Sequence, residues 1–167
     1  MKRNTRYKTG FTVAELLMAL AIAGMLLAAV AAAFNASAIN YRQNEDIFKA
    51  TNGARQAMFR MISQLRTADA VDPNSPANEC ALITPGGDDL TYRYNSDDSK
   101  LYLITNDDLS DSDYVLCNNV TALTFTKDTV VEDMQTKVRS VQISITVASG
   151  DVQQTVSAAA VVRRNLN

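Results

Sequence analysis

The sequence predicts an α+β protein: one long N-terminal helix, transmembrane in its first half, packs through its second half on an antiparallel β-sheet head. Three observations carry this expectation. From Leu16 to Phe34, 19 residues run without a charge, and only Gly24 interrupts the apolar side chains. Ile47, Ala50, Ala54, Met58, Met61 and Leu65 then recur at steps of three or four. Beyond Pro76 the apolar period falls to two. Steps of three or four mark one face of a helix, and alternation marks one face of a strand.

The uncharged run, as a helix, spans about 28 Å, close to the roughly 30 Å hydrocarbon core of a bilayer. Its alternative is a buried core helix. A helix apolar on every face needs a surrounding core that the remaining residues could hardly supply. No Pro occurs between Met1 and Val71, so one continuous helix is expected from about Thr12 to Thr67. Charged residues such as Arg42, Glu45, Lys49 and Arg55 surround the later stripe, which reads as core packing in preference to a partner groove. Gly24 and Gly53 are soft points, each costing about 1 kcal/mol relative to Ala.

"DAVDPNSPANE", residues 69–79, ends the helix with Pro73 and Pro76. "LTYRYN" and "KLYLIT" flank Ser96-Asp97-Asp98-Ser99 as a hairpin, and "NVTALTFTK" places Leu123 and Phe125 on one strand face. "VRSVQISITVA" does the same with Val141, Ile143, Ile145 and Val147. Ser149-Gly150-Asp151 then turns the chain into "VQQTVSAAAVVRR". These strands are expected to form one antiparallel sheet over the helix stripe. Tyr92, Tyr94 and Tyr102 read as sheet packing before a binding platform.

Charge is unevenly placed. Lys2, Arg3, Arg6 and Lys8 precede the apolar run with no acid among them, so that end is expected to stay cytoplasmic. From Thr67 onward there are 15 Asp and Glu against 7 Lys and Arg, a net charge of −8. An acidic head argues against nucleic acid as a partner held through a phosphate-neutralising face.

Chemistry-bearing patterns are sparse. The chain has no His, which removes His-dependent triads and makes a metal-ligand set built on Cys implausible. No nucleophile elbow, phosphate loop or dinucleotide fingerprint occurs, so neither catalysis nor a cofactor is expected. Asp107, Asp108, Asp111 and Asp113 crowd one loop and form a weak Ca²⁺ candidate. The EF-hand order is missing, and a solvated acidic turn is the better reading. Cys80 and Cys117 both lie beyond the anchor, on the side expected to be exported. They could pair there, closing a loop worth roughly 4 kcal/mol in the chain-entropy model. Two unpaired, buried thiols are the other reading, and export favours pairing.

One stretch remains. "KTGFTVAELLMALAIAG", residues 8–24, sets Glu15 at the start of the apolar run. A carboxylate inside lipid costs of the order of 2.5–3.5 kcal/mol at the helix centre and less near the interface. Gly10 lies between the basic residues and the run, and no small-residue cleavage site follows Phe34. A cut after Gly10 would make Phe11 the new N-terminus, with Glu15 fifth, and would retain the helix.

"TGFTVAELLMALAIAGMLLA" resembles the class III signal of type IV prepilins and type II secretion pseudopilins. The resemblance implies that Gly10 precedes the cut, that Phe11 becomes the N-methylated terminus, and that Glu15 is the acid required for assembly. It implies a leader over residues 1–10, a transmembrane and assembly helix over 11–34, an amphipathic helix over 35–67 and a sheet head over 68–167. Its implied partners are a prepilin peptidase and methylase, other minor and major pilins or pseudopilins, an inner-membrane assembly platform and the membrane. The implied location is a single-pass inner membrane with a cytoplasmic N-terminus and a periplasmic head, then a pilus or pseudopilus.

The helix followed by strands, closing on "VRSVQISITVASG…VVRRNLN", is similar in pattern to PilW-type minor pilins and the J-type minor pseudopilin. Major pilins usually carry Pro at the twenty-second mature position, where this chain has Ala32, and that departure favours a minor subunit that primes or caps a filament. A membrane-anchored periplasmic binding or enzymatic domain behind a prepilin-like signal is the alternative.

Overall fold

The computed structural model describes residues 10–106, 113–132 and 134–163. One helix, α1, runs from Val13 to Thr67. Eight strands follow it: β1 (Ala70–Val71), β2 (Glu79–Ile83), β3 (Asp89–Asn95), β4 (Lys100–Thr105), β5 (Tyr114–Cys117), β6 (Val120–Glu132), β7 (Gln135–Ser149) and β8 (Val152–Val161). The chain divides into two compact units, one running to Arg42 and the other beginning at Gln43.

In the first unit the described residues are helical from Val13, and all of them are exposed to solvent in the isolated chain. Leu16, Leu20, Met25, Leu27 and Phe34 each stay at least 60% exposed. An apolar helix that finds no protein cover has lipid or other helices as its compatible surroundings.

The second unit begins with the rest of α1. Ala50, Ala54, Ala57, Met58, Met61 and Leu65 are buried there, and Ile47 is half-buried. The expected stripe is therefore the packing face, with Ala57 added to it. Small residues dominate its first part, with Ala50, Ala54 and Ala57 all buried. A Cβ at Gly53 would meet the Cys117 sulfur at 3.6 Å, an ordinary van der Waals contact. The helix stops at Thr67, ahead of both prolines, where the Thr67 hydroxyl donates to the carbonyls of Ser63 and Gln64. Asp69 N–H then donates to Ile83 O at 2.9 Å, and the chain enters β1.

The head holds two antiparallel sheets, where the sequence led us to expect one. A five-stranded meander runs β1-β2-β3-β4-β5, and a three-stranded one runs β6-β7-β8. The switch falls at Asn118-Asn119. Asn119 takes φ 59°, the left-handed region that Asn tolerates better than most residues, and the chain leaves the first sheet there. Val120 N–H donates to Ser99 O and β6 pairs onward with β7.

Polar contacts tie the layers together. Phe125 N–H donates to Ala77 O at 2.7 Å, the Tyr94 hydroxyl donates to Val120 O at 3.2 Å, and the Lys127 ammonium donates to the carbonyls of Ser75 and Glu79. Val141, Ile143, Ile145 and Val147 of β7 are fully buried, facing Leu123 and Phe125 of β6 within one core. Tyr92 is fully buried as well, and its hydroxyl donates to Gln64 of α1. Burial pushes that phenol well above its ordinary range. Tyr92 and Tyr94 are thus packing and hydrogen-bonding residues, while the Tyr102 hydroxyl donates to Asp98 at the surface.

Candidate functional site

The N-terminal end of α1 carries the residues that the sequence singles out. Gly10 and Phe11 precede the helix, both exposed, Phe11 at 85%. The Gly10–Phe11 peptide therefore lies in non-helical chain, where a protease needs its substrate, and among the described residues no side chain crowds Gly10.

Thr12 and Glu15 close a reciprocal cap. Thr12 N–H and the Thr12 hydroxyl each donate to the same Glu15 carboxylate oxygen at 2.9 Å. Glu15 N–H donates back to the Thr12 hydroxyl oxygen at 3.3 Å, and Leu16 N–H donates to Thr12 O at 3.2 Å as the first helical bond. This is a capping box, Thr at the cap and Glu three residues on, which satisfies two otherwise orphaned donors at the helix start. The helix dipole also favours a carboxylate at this end.

The cap decides where the Glu15 charge sits. It is turned back over the helix start, against the N–H of the residue next to Phe11. A charge made at Phe11 by proteolysis would appear beside it. Thr12 is not among the residues that the sequence reading singles out, although the signal, Thr-x-x-Glu ahead of an apolar run, is present in "TVAE".

The remaining sequence-named residues fall beyond α1 in the chain. Asp107, Asp108 and Asp111 lie outside the described residues, and Asp113 is exposed. Among the described residues no group of three or more His, Cys, Asp or Glu side chains is placed to hold a metal. A groove of about 570 Å³ lies between β1, β2 and the start of β7, lined in part by Asp72, Pro73, Gln135 and Lys137.

The expected Cys80–Cys117 disulfide needs correction. Both residues are buried, but both are free thiols. Cys80 pairs with Tyr92 and Tyr92 with Leu103, while Cys117 pairs with Leu101 on the far side of β4. Three strand spacings of about 4.8 Å put roughly 14 Å between the two backbones, against the roughly 4.4–6.8 Å that a disulfide spans. Export and an even count argued for a bond, but register decides against it.

Burial pushes each thiol up to about 11, so neither forms much thiolate at neutral pH. Maleimide labelling should therefore leave both cysteines unmodified in the folded chain and modify both in denaturant without reductant. Two unreactive cysteines in denaturant would restore the disulfide.

Comparison with known proteins adds one finding. Residues 5–31 match the family model described as the prokaryotic N-terminal methylation motif. No curated protein and no solved structure matches the chain. The matched segment contains Gly10, Phe11, Thr12 and Glu15, and α1 is long and apolar enough to cross a membrane.

Proposed function

Starting from a type IV pilin-like chain that carries a class III signal and a membrane-length helix, we infer that the protein is a minor pilin or pseudopilin, a structural subunit that primes or caps a pilus-like filament. The observation that carries this reading is the geometry of the capped helix start. An exposed Gly10–Phe11 bond adjoins a carboxylate folded back over the same end.

A prepilin peptidase cuts after Gly10 on the cytoplasmic side and leaves an α-amine on Phe11. Its reference pKa is about 8, and it stays basic when methylated. The helix is then retained in the inner membrane with the head outside. A neighbouring subunit displaced along the filament axis brings its own Phe11 amine to Glu15. Once packing in the filament removes Glu15 from water, the correct register adds the neighbour's cation to the one on its own chain, so the contact acts as a docking check. Ala32, in place of the proline usual in major pilins, supports a minor role.

Intact-mass measurement on protein extracted from peptidase-positive membranes tests the first step. Removing 10 of 167 residues leaves 157, beginning with a methylated Phe11. An uncut chain, or one beginning after Phe34, would overturn the proposal.

A further inference from the structure

The edge of the three-stranded sheet lacks the protections that edge strands usually carry. Among the described residues β8 pairs with β7 on one side and with no strand on the other. From Val152 to Val162 there is no charged residue, no Pro and no Gly. The β7–β8 ladder keeps one register from Ser149↔Val152 to Ser140↔Val161, so no bulge twists the edge away. Natural sheets normally blunt such an edge with charge, proline or a bulge, because its free N–H and C=O groups template another strand.

The direction of those free groups follows from one bond. Val162 N–H donates to Arg139 O at 3.0 Å, between residues that face each other in the ladder. In an antiparallel pair, facing residues that exchange bonds alternate with those that do not. Even-numbered residues of β8 therefore bond to β7, and Gln153, Thr155, Ser157, Ala159 and Val161 present their backbone outward.

Along the strand sequence itself, charge lies only at the two ends. Asp151 immediately precedes the strand and Arg163 follows it, with Arg66 of α1 lining the same groove as Arg163. Neither Asp151 nor Arg163 joins a salt bridge with another described residue.

We propose that β8 is a homotypic pairing edge, to which the β8 strand of a second copy adds antiparallel, centred on Ser157. In that register Thr155 faces Ala159 of the second copy and Gln153 faces its Val161. Outward donors then meet outward acceptors along the whole edge. Asp151 falls opposite Arg163 of the second copy, and two-fold symmetry repeats the pair at the other end. A parallel pairing would set Asp151 against Asp151 and Arg163 against Arg163, which like charges disfavour.

A second feature lies beside the same edge. Phe59 of α1 is 76% exposed and lines a mostly apolar groove of about 230 Å³ with Met58, Ile62, Val156 and Ala158, which Arg55 also borders. The incoming strand brings its own Val156 and Ala158 to that groove, covering apolar surface on both copies. The result is one six-stranded sheet across two heads. This pairing goes beyond the filament reading and does not depend on processing at Gly10.

Full-length protein in detergent micelles tests it by sedimentation across a concentration series. The parent chain should dimerise. Asp151→Arg and Arg163→Asp should each self-associate about tenfold more weakly, because each faces its own like charge twice. Mixed in equal amounts, the two variants should recover the parent affinity as heterodimers, which also shows that each is folded. Ser157→Cys should cross-link to itself through a short bis-maleimide. Gln153→Cys should not, since those positions lie about 27 Å apart in this register. A monomeric parent would overturn the proposal. So would charge variants that associate like the parent, a mixture that recovers nothing, or equal cross-linking at both positions.

Discussion

Glu15→Gln should be cleaved after Gly10 and inserted in the membrane normally, yet fail to join filament partners. Glutamine can keep the cap, because its amide oxygen accepts from Thr12 as the carboxylate does. It cannot supply a counter-charge to the Phe11 amine of a neighbour. Removing one partner from a buried ion pair costs about 3–5 kcal/mol, enough to dissolve a weak priming complex. Glu15→Val removes the charge and the carboxylate half of the capping box while the Thr12 hydroxyl still accepts from the N–H of residue 15, and should lose at most about 1 kcal/mol more at the helix start. Cross-linking of fully processed protein to partner subunits is the measurement. If Glu15→Gln assembles and Glu15→Val does not, the cap governs assembly and the charge-pair mechanism is wrong.

Met61→Ala is expected to destabilise the head by about 2–5 kcal/mol, the range for emptying a buried Met-sized site. Met61 is fully buried in the face of α1 that packs on the head core. Phe59, two residues away on the same helix, is 76% exposed in the single chain, so at concentrations low enough to keep the chain monomeric Phe59→Ala should stay within about 0.5 kcal/mol. Denaturant titration of the two variants in detergent separates them. Equal losses would mean that the buried stripe is not what fastens α1 to the head.

The features legible in the sequence are those that neighbours along the chain determine. Gly10, Phe11 and Glu15 fall within six residues, and "TVAE" encodes the cap in four. The unbroken helix was equally readable, since it needs only the absence of Pro and a repeat of three or four positions over Ile47–Leu65. Ala57 joined that stripe unseen because a repeat of one residue per turn passes over it: three residues after Ala54 and four before Met61, it widens the same face beside Met58. It is 2% exposed.

The hairpin around Ser96–Ser99 and the buried faces of β6 and β7 were likewise readable, because alternation is a local pattern and the connection is short. β2 and β5 were not: "ECALI" and "YVLC" are too short to show a period, and both become strands only by pairing with β3 and β4.

By itself, then, the sequence determined the processing signal, the membrane-length helix, its packing stripe and an antiparallel head. Each follows from contacts between residues close along the chain. Only the tertiary structure decided that the head splits into two sheets at Asn119, and that Cys80 and Cys117 stand three strands apart. It alone decided, too, that β8 lies at an open edge. These depend on which strand pairs with which, a choice among distant segments that no local periodicity encodes.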